Sequence, residues 1–261
     1  MPASSHPKTT EVVEPPALQF QTVRAARAFE EIATQIRAEL ASGRLKVGSR
    51  LPAERTLAQQ FGVSRNTLRE ALRSLEHAGL IRLQKGASGG AFICEGSGTA
   101  ITTSLMDLYH IGTITPDQLT EARIWLESVI VREACRRATP DDIKELQQNV
   151  KEVEEAVKRG DFQRRAQLNL DFHRKLAAMT ANPIVVIVMD GLLNVLSTFL
   201  QTLGEYENTF VLPSRKRFLK HMAAGDAEAA MTEMESMLKR LQRNYLSRVP
   251  TTDHAVEHKG A

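Results

Sequence analysis

Phe29, Ile32, Ile36 and Leu40 fall at i, i+3, i+7 and i+11, one stripe of an amphipathic helix. Ser42-Gly43 ends it, because Gly takes the left-handed cap conformation without penalty. After the turn-rich run GRLKVGSRLP, Pro52 is read as the start of a second helix with Leu57 and Phe61 turned inward, and Gly62 closes it. Ser64 is a good N-cap for a third helix, whose inner stripe is Leu68, Ala71, Leu72 and Leu75 and whose end is Gly79. The period then drops to two: LIRLQ and GAFIC, on either side of KGASGG, predict a two-stranded hairpin. Two helices joined by a tight glycine turn, then a hairpin, make a helix-turn-helix with a wing.

From Gly96 to Thr103 the chain turns to Gly, Ser and Thr and is read as a linker. Helical periodicity resumes beyond it, interrupted at Thr139-Pro140, Gly160-Asp161, Asn182-Pro183, Leu212-Pro213-Ser214 and Gly225-Asp226. The fold class predicted is mainly α: an N-terminal winged helix-turn-helix (three helices plus a small β-hairpin), followed by an antiparallel bundle of six or seven helices. The expected divisions are a flexible tail at 1–21, a winged helix-turn-helix at 22–95, a linker at 96–103, an all-α effector-binding and dimerisation domain at 104–246, and a flexible tail at 247–261.

Composition narrows the class. Apolar residues make up 42% and charged residues 25% of 261 positions, enough for real cores in a water-soluble chain. Neither a membrane span nor a secretory leader is expected. Cys94 and Cys135 stand far apart with no CxxC, which suits a reducing cytoplasm and excludes a zinc ribbon. Net charge is only +3, but Arg44 to Lys85 holds nine Lys and Arg against three Glu, a local +6. A polyanionic partner for that part alone follows.

Arg65, Arg69 and Arg73 recur every four residues on the third helix and so share a side away from the apolar stripe. Ser64, Asn66 and Thr67 add short polar groups at its N-terminus, where unpaired N–H groups attract phosphate. In helix-turn-helix proteins this end reaches base edges in the major groove, and Arg there grips guanine. A solvated face with intrahelical pairs, Arg73 with Glu70 or Glu76, is the plainer alternative.

The stretch LPAERTLAQQFGVSRNTLREALRSLEHAGLI, with QKGASGGAFI, closely resembles the winged helix of the GntR family of bacterial transcription regulators. The resemblance implies DNA contacts by Arg55, Ser64, Arg65, Asn66, Thr67 and Arg69, and by Lys85 and Gly86 in the wing. It also implies a homodimer on a palindromic operator in double-stranded DNA.

The helical half resembles the FCD domain of that family's FadR-type branch, through TEARIWLESVIVREACRRAT, NLDFHRKLAAMTANP and HMAAGDAEAAMTEMESML. Many members of the branch hold a divalent metal through an Asp or Asn, a His four residues later, and two further His. Asn169 and His173 fill the first two positions here, but Arg215 and Met237 fall on the others. Arg cannot coordinate a cation, and a thioether suits hard metals poorly. No metal or other cofactor is expected. Instead Arg123, Asn169, His173 and Arg215 are expected to line a pocket for a small-molecule carboxylate, an organic acid or its thioester. Trp125, Leu126 and Val129 are read as packing, and His254 and His258 as tail residues without a role.

The function expected is a ligand-responsive repressor, cytoplasmic and nucleoid-associated, released from DNA by its effector. An activator of the same class stays open. So does an enzymatic bundle tethered to DNA, although no HExxH, P-loop or dinucleotide fingerprint is present and no catalytic residue is assigned.

Overall fold

The computed structural model describes residues 26–86, 89–96, 98–205 and 208–249. The tail expected at 1–21, most of that at 247–261, and the pair His254 and His258 lie outside the described residues.

Helix α1 (Ala26–Ala41) ends before Gly43, whose φ is 74°. Helix α2 (Glu54–Phe61) begins two residues later than expected. Its first helical bond runs from Leu57 N–H to Ala53 C=O, so Pro52 precedes the cap instead of opening the first turn. Gly62 takes the left-handed conformation at φ 64°, and its N–H closes back on α2. Only two residues later Ser64 caps α3 (Arg65–His77), its side chain accepting from Thr67 N–H. Strands β1 (Ile81–Gln84) and β2 (Gly90–Ile93) pair antiparallel, Ile81 opposite Ile93 and Gln84 opposite Gly90. One apolar cluster joins Ile32 and Ile36, Leu57, the stripe Leu68, Ala71, Leu72 and Leu75, and Ile81 and Ile93. Glu76 of α3 accepts from Leu83 N–H of β1 at 2.7 Å, which ties the helix to the wing.

Seven described helices follow. They are α4 (Thr99–His110), α5 (Pro116–Arg137), α6 (Pro140–Lys158), α7 (Phe162–Met179), α8 (Pro183–Thr202), α9 (Val211–Ala223) and α10 (Ala227–Leu246). Two of the expected boundaries move. Helix α4 starts at Thr99, inside the stretch read as linker, because a helix there packs along α8, with Leu105, Met106 and Tyr109 against the core. Gly98 opens it, so close to α8 that a Cβ there would stand 2.6 Å from Ile187 Cγ2. Helix α9 runs straight through Leu212-Pro213-Ser214, which had looked like a break. Pro213 sits in the first turn, where an N–H has no intrahelical partner to lose.

Helix α8 is long and apolar enough to cross a membrane by length and hydropathy. It serves here as a core helix, burying Met189, Leu193, Leu196 and Phe199. Its Asp190 and Asn194 both bond to Arg174 of α7. Trp125 and Val129, read as packing, are 64% and 57% exposed on this chain, because they lie off the stripe that α5 turns inward.

Candidate functional site: an arginine face and a buried cavity

The head and the bundle each present arginines, in opposite surroundings. On α3, the Ser64 cap leaves Arg65, Asn66 and Arg69 exposed at the helix N-terminus. Ser64 Oγ also lies 2.9 Å from Thr67 Oγ1. Arg69 bonds to Glu54 of α2 at 2.9 Å, and Arg65 approaches the same carboxylate at 3.8 Å. Arg73 pairs with Glu70 at 2.9 Å, one of the two partners that the plainer reading offers it. Arg55 on α2, and Lys85 and Gly86 after β1, are exposed as well. The wing's base is held by Arg50, which bonds to Gly89 C=O and stacks over the Phe92 ring. The letters from Gly86 to Gly90 also fit the GxSxG pattern of serine hydrolases. They join two antiparallel strands, whereas a nucleophile elbow joins a strand to a helix.

Inside the bundle a cavity of about 300 Å³ is lined by all four expected effector residues, Arg123, Asn169, His173 and Arg215. Each comes from a core-facing stripe. On α5, Leu119, Arg123, Glu127, Ile130 and Ala134 recur at helical spacing and are all buried. On α7, Asn169 and His173 are one turn apart above Leu176. Arg215 is 2% exposed, the largest fully buried side chain among the described residues. Its backbone is held from both sides. Ser214 and Arg217 bond to Glu233 of α10, and Lys216 reaches Glu154 of α6.

These side chains form one connected cluster. His173 Nδ1 lies 2.5 Å from Glu127 Oε1, and Arg123 Nε lies 3.8 Å from the same oxygen. Arg215 Nη2 donates to Asn169 C=O at 2.8 Å and stands 3.3 Å from His173 Nε2, while its guanidinium stacks over Phe172. Burial lowers the His173 pKa to about 4 against the pull of Glu127, so the imidazole is neutral at pH 7. Burial alone would raise the Glu127 carboxyl, yet His173, Arg123 and Arg215 hold it below the ordinary range. Burial and the neighbouring Arg123 bring Arg215 down to about 9, still a cation at neutral pH.

Several polar atoms in this cluster are buried without a hydrogen-bond partner: Arg215 Nε and Nη1, Arg123 Nε, Asn169 Oδ1 and Glu127 Oε2. Among the described residues no group of three or more His, Cys, Asp and Glu side chains could hold a metal ion. Met237, at the fourth position that the resemblance gives to a ligand, is buried in the main apolar core.

Glu127 escaped the sequence reading. Its signal was present, since a Glu four residues after Arg123 on the stripe of Leu119 and Ile130 is a charge facing a core. Arg165 and Tyr245 also line the cavity and were missed. A lone Arg and a lone Tyr in helices carry no such signal.

Residues 28–92 match the family described as bacterial regulatory proteins, gntR family, and residues 118–240 match the FCD domain. The chain is 30% identical over 224 residues to an Escherichia coli (strain K12) protein named for regulation of the L-lactate dehydrogenase operon, a match covering 81% of this chain and 84% of that one. It is 32% identical over 162 residues to the Uxu operon transcriptional regulator of the same strain, 62% of either chain. Identity is 25% over 234 residues to that strain's Glc operon transcriptional activator, 88% of this chain and 91% of the other. Among solved structures, Streptococcus agalactiae GntR shares the fold with a TM-score of 0.58 and 23% identity, over 82% of this chain and 99% of that one.

Proposed function

The chain belongs to the gntR family of bacterial regulatory proteins, and from that premise we propose how a ligand-responsive DNA-binding transcription regulator is built from its two halves. The relatives matched are regulators of operons, not enzymes. The head enters the major groove of double-stranded DNA with the N-terminus of α3. Arg65, Asn66 and Arg69 read base edges, while Ser64, Thr67 and the helix end hold phosphates. Arg55, Lys85 and Gly86 grip the flanking backbone. One recognition helix covers only a few base pairs, so a homodimer on a palindromic operator supplies the second half-site.

The bundle supplies the response. Arg123, Asn169, His173 and Arg215 receive a small organic acid, and its binding releases the operator, which makes the protein a repressor working in the cytoplasm. The cavity, about 300 Å³, has room for a small organic acid. To switch occupancy, the acid must prefer the conformation that does not fit DNA.

The observation that carries this reading is the outward, Ser64-capped end of α3 with its exposed arginines. Selection from a random duplex library by the full-length protein tests it. An enriched palindrome, lost in Arg65→Ala/Arg69→Ala, supports the reading. No preference over random competitor at low ionic strength refutes it. Acid that strengthens binding to the enriched site would make the protein an activator or co-repressor-dependent.

A further inference from the structure

We propose that the bundle cavity captures an organic anion directly on a guanidinium, with Arg215 standing where the resemblance would put a metal ion. The inference rests on the regulator reading and deepens it by naming how the effector is held.

Charge is the first support. Arg123 and Arg215 both line the cavity, and no Asp or Glu does among the described residues. Glu127 faces the two arginines from behind the wall and already contacts His173. Two buried cations against one buried anion leave a positive surplus beside the cavity, whichever form the imidazole takes. Buried charge is tolerated only when paired, so the missing partner is an anion that enters the cavity.

Unmade hydrogen bonds are the second. Arg215 commits Nη2 to Asn169 C=O and leaves Nε and Nη1 buried with no acceptor. A carboxylate is the acceptor whose geometry a guanidinium matches. The rest of the lining includes Val153, Leu170, Leu212 and Leu241, which suit an apolar body, and Arg165, a further cation.

The same geometry does not fit a divalent cation. Arg215 Nη2, fixed 3.3 Å from His173 Nε2, puts a permanent positive charge where that imidazole would meet a metal. What remains is one imidazole and one amide, too few donors for a tight site.

Titration calorimetry on the full-length protein tests this with acetate, butyrate and hexanoate against their uncharged amides, each with and without EDTA. An acid is expected to bind about tenfold to a hundredfold more tightly than its amide. EDTA is expected to change nothing. Arg215→Gln, which keeps most of the side-chain volume, is expected to lose about the same factor in acid affinity. The acid-to-amide ratio is read on wild type, so it stands even if the variant folds poorly. Equal binding of acid and amide overturns the inference. So does binding that EDTA abolishes and zinc restores, unchanged affinity in a folded Arg215→Gln, or no binding of any of the acids. A protein that shifts its operator yet takes no acid loses this inference and remains a DNA-binding regulator. One that takes acid but prefers no duplex loses the regulator reading alone.

Discussion

Arginine does opposite work in the two halves of this chain. In the head, Arg65, Arg69 and Arg73 are 61%, 49% and 68% exposed, and their acidic partners Glu54 and Glu70 are themselves wet. Such pairs exchange readily with solvent and are worth little. On the proposed function, they can be given up when phosphates and guanines arrive. In the bundle, Arg123 and Arg215 are buried with one carboxylate and line a cavity. A solvated cation acts over a Debye length and is tuned by salt, whereas a buried one acts at contact and is tuned by shape. On the proposed function, one residue type would thus serve a long, regular polyanion in one half of the chain and a small anion in the other.

The sharpest way to break this comparison is Glu127→Gln. With its charge gone, Arg123 and Arg215 face each other uncompensated, and the bundle should lose about 3–5 kcal/mol in urea unfolding. Saturating acid should restore part of the loss. Next comes pH. His173 has a folded pKa near 4 against an ordinary 6.5, and Glu127 is also depressed, so the unfolded chain binds more protons throughout that window. Stability of the bundle is therefore full above about pH 6.5 and falls as pH drops toward 4, and His173→Gln should flatten that slope in pH-resolved thermal melts. Smaller is Arg69→Ala, expected to cost about 1–3 kcal/mol of operator binding in fluorescence anisotropy. Operator affinity should also fall steeply with salt, with a log–log slope of about −0.9 per neutralised phosphate, while acid binding in the cavity barely responds. Smallest is Glu70→Ala, which frees Arg73 on the surface and should move stability by less than about 0.5 kcal/mol.

Much of the architecture was legible in spacing alone. The stripe Leu68, Ala71, Leu72 and Leu75 announced α3, and Gly62 and Ser64 announced the turn before it, because local backbone chemistry dictates those elements. Reading failed where a local signal had two meanings. Pro213 suits a loop and a first helical turn equally well, and only the packing of Val211 and Phe218 against the core decides between them. The Gly98 to Thr103 stretch reads as flexible until α8 is known to lie beneath it. The cavity was half legible. Asn169, His173, Arg123 and Arg215 meet around one space, but Glu127, which touches His173 most closely, was passed over although it lies on the stripe of Leu119, Arg123 and Ile130. The pattern marks it as inward; only the packed helices give it His173 as a partner.

Helix α8 has one further consequence. Leu200, near its C-terminal end, forms part of the cavity wall, and Ile187, near its N-terminal end, lies directly under Gly98. Thirteen residues of helix separate them, about 20 Å at 1.5 Å per residue. One packed helix therefore joins the cavity wall to the start of the bundle, and a shift of its cavity end would be carried to the residues beneath Gly98.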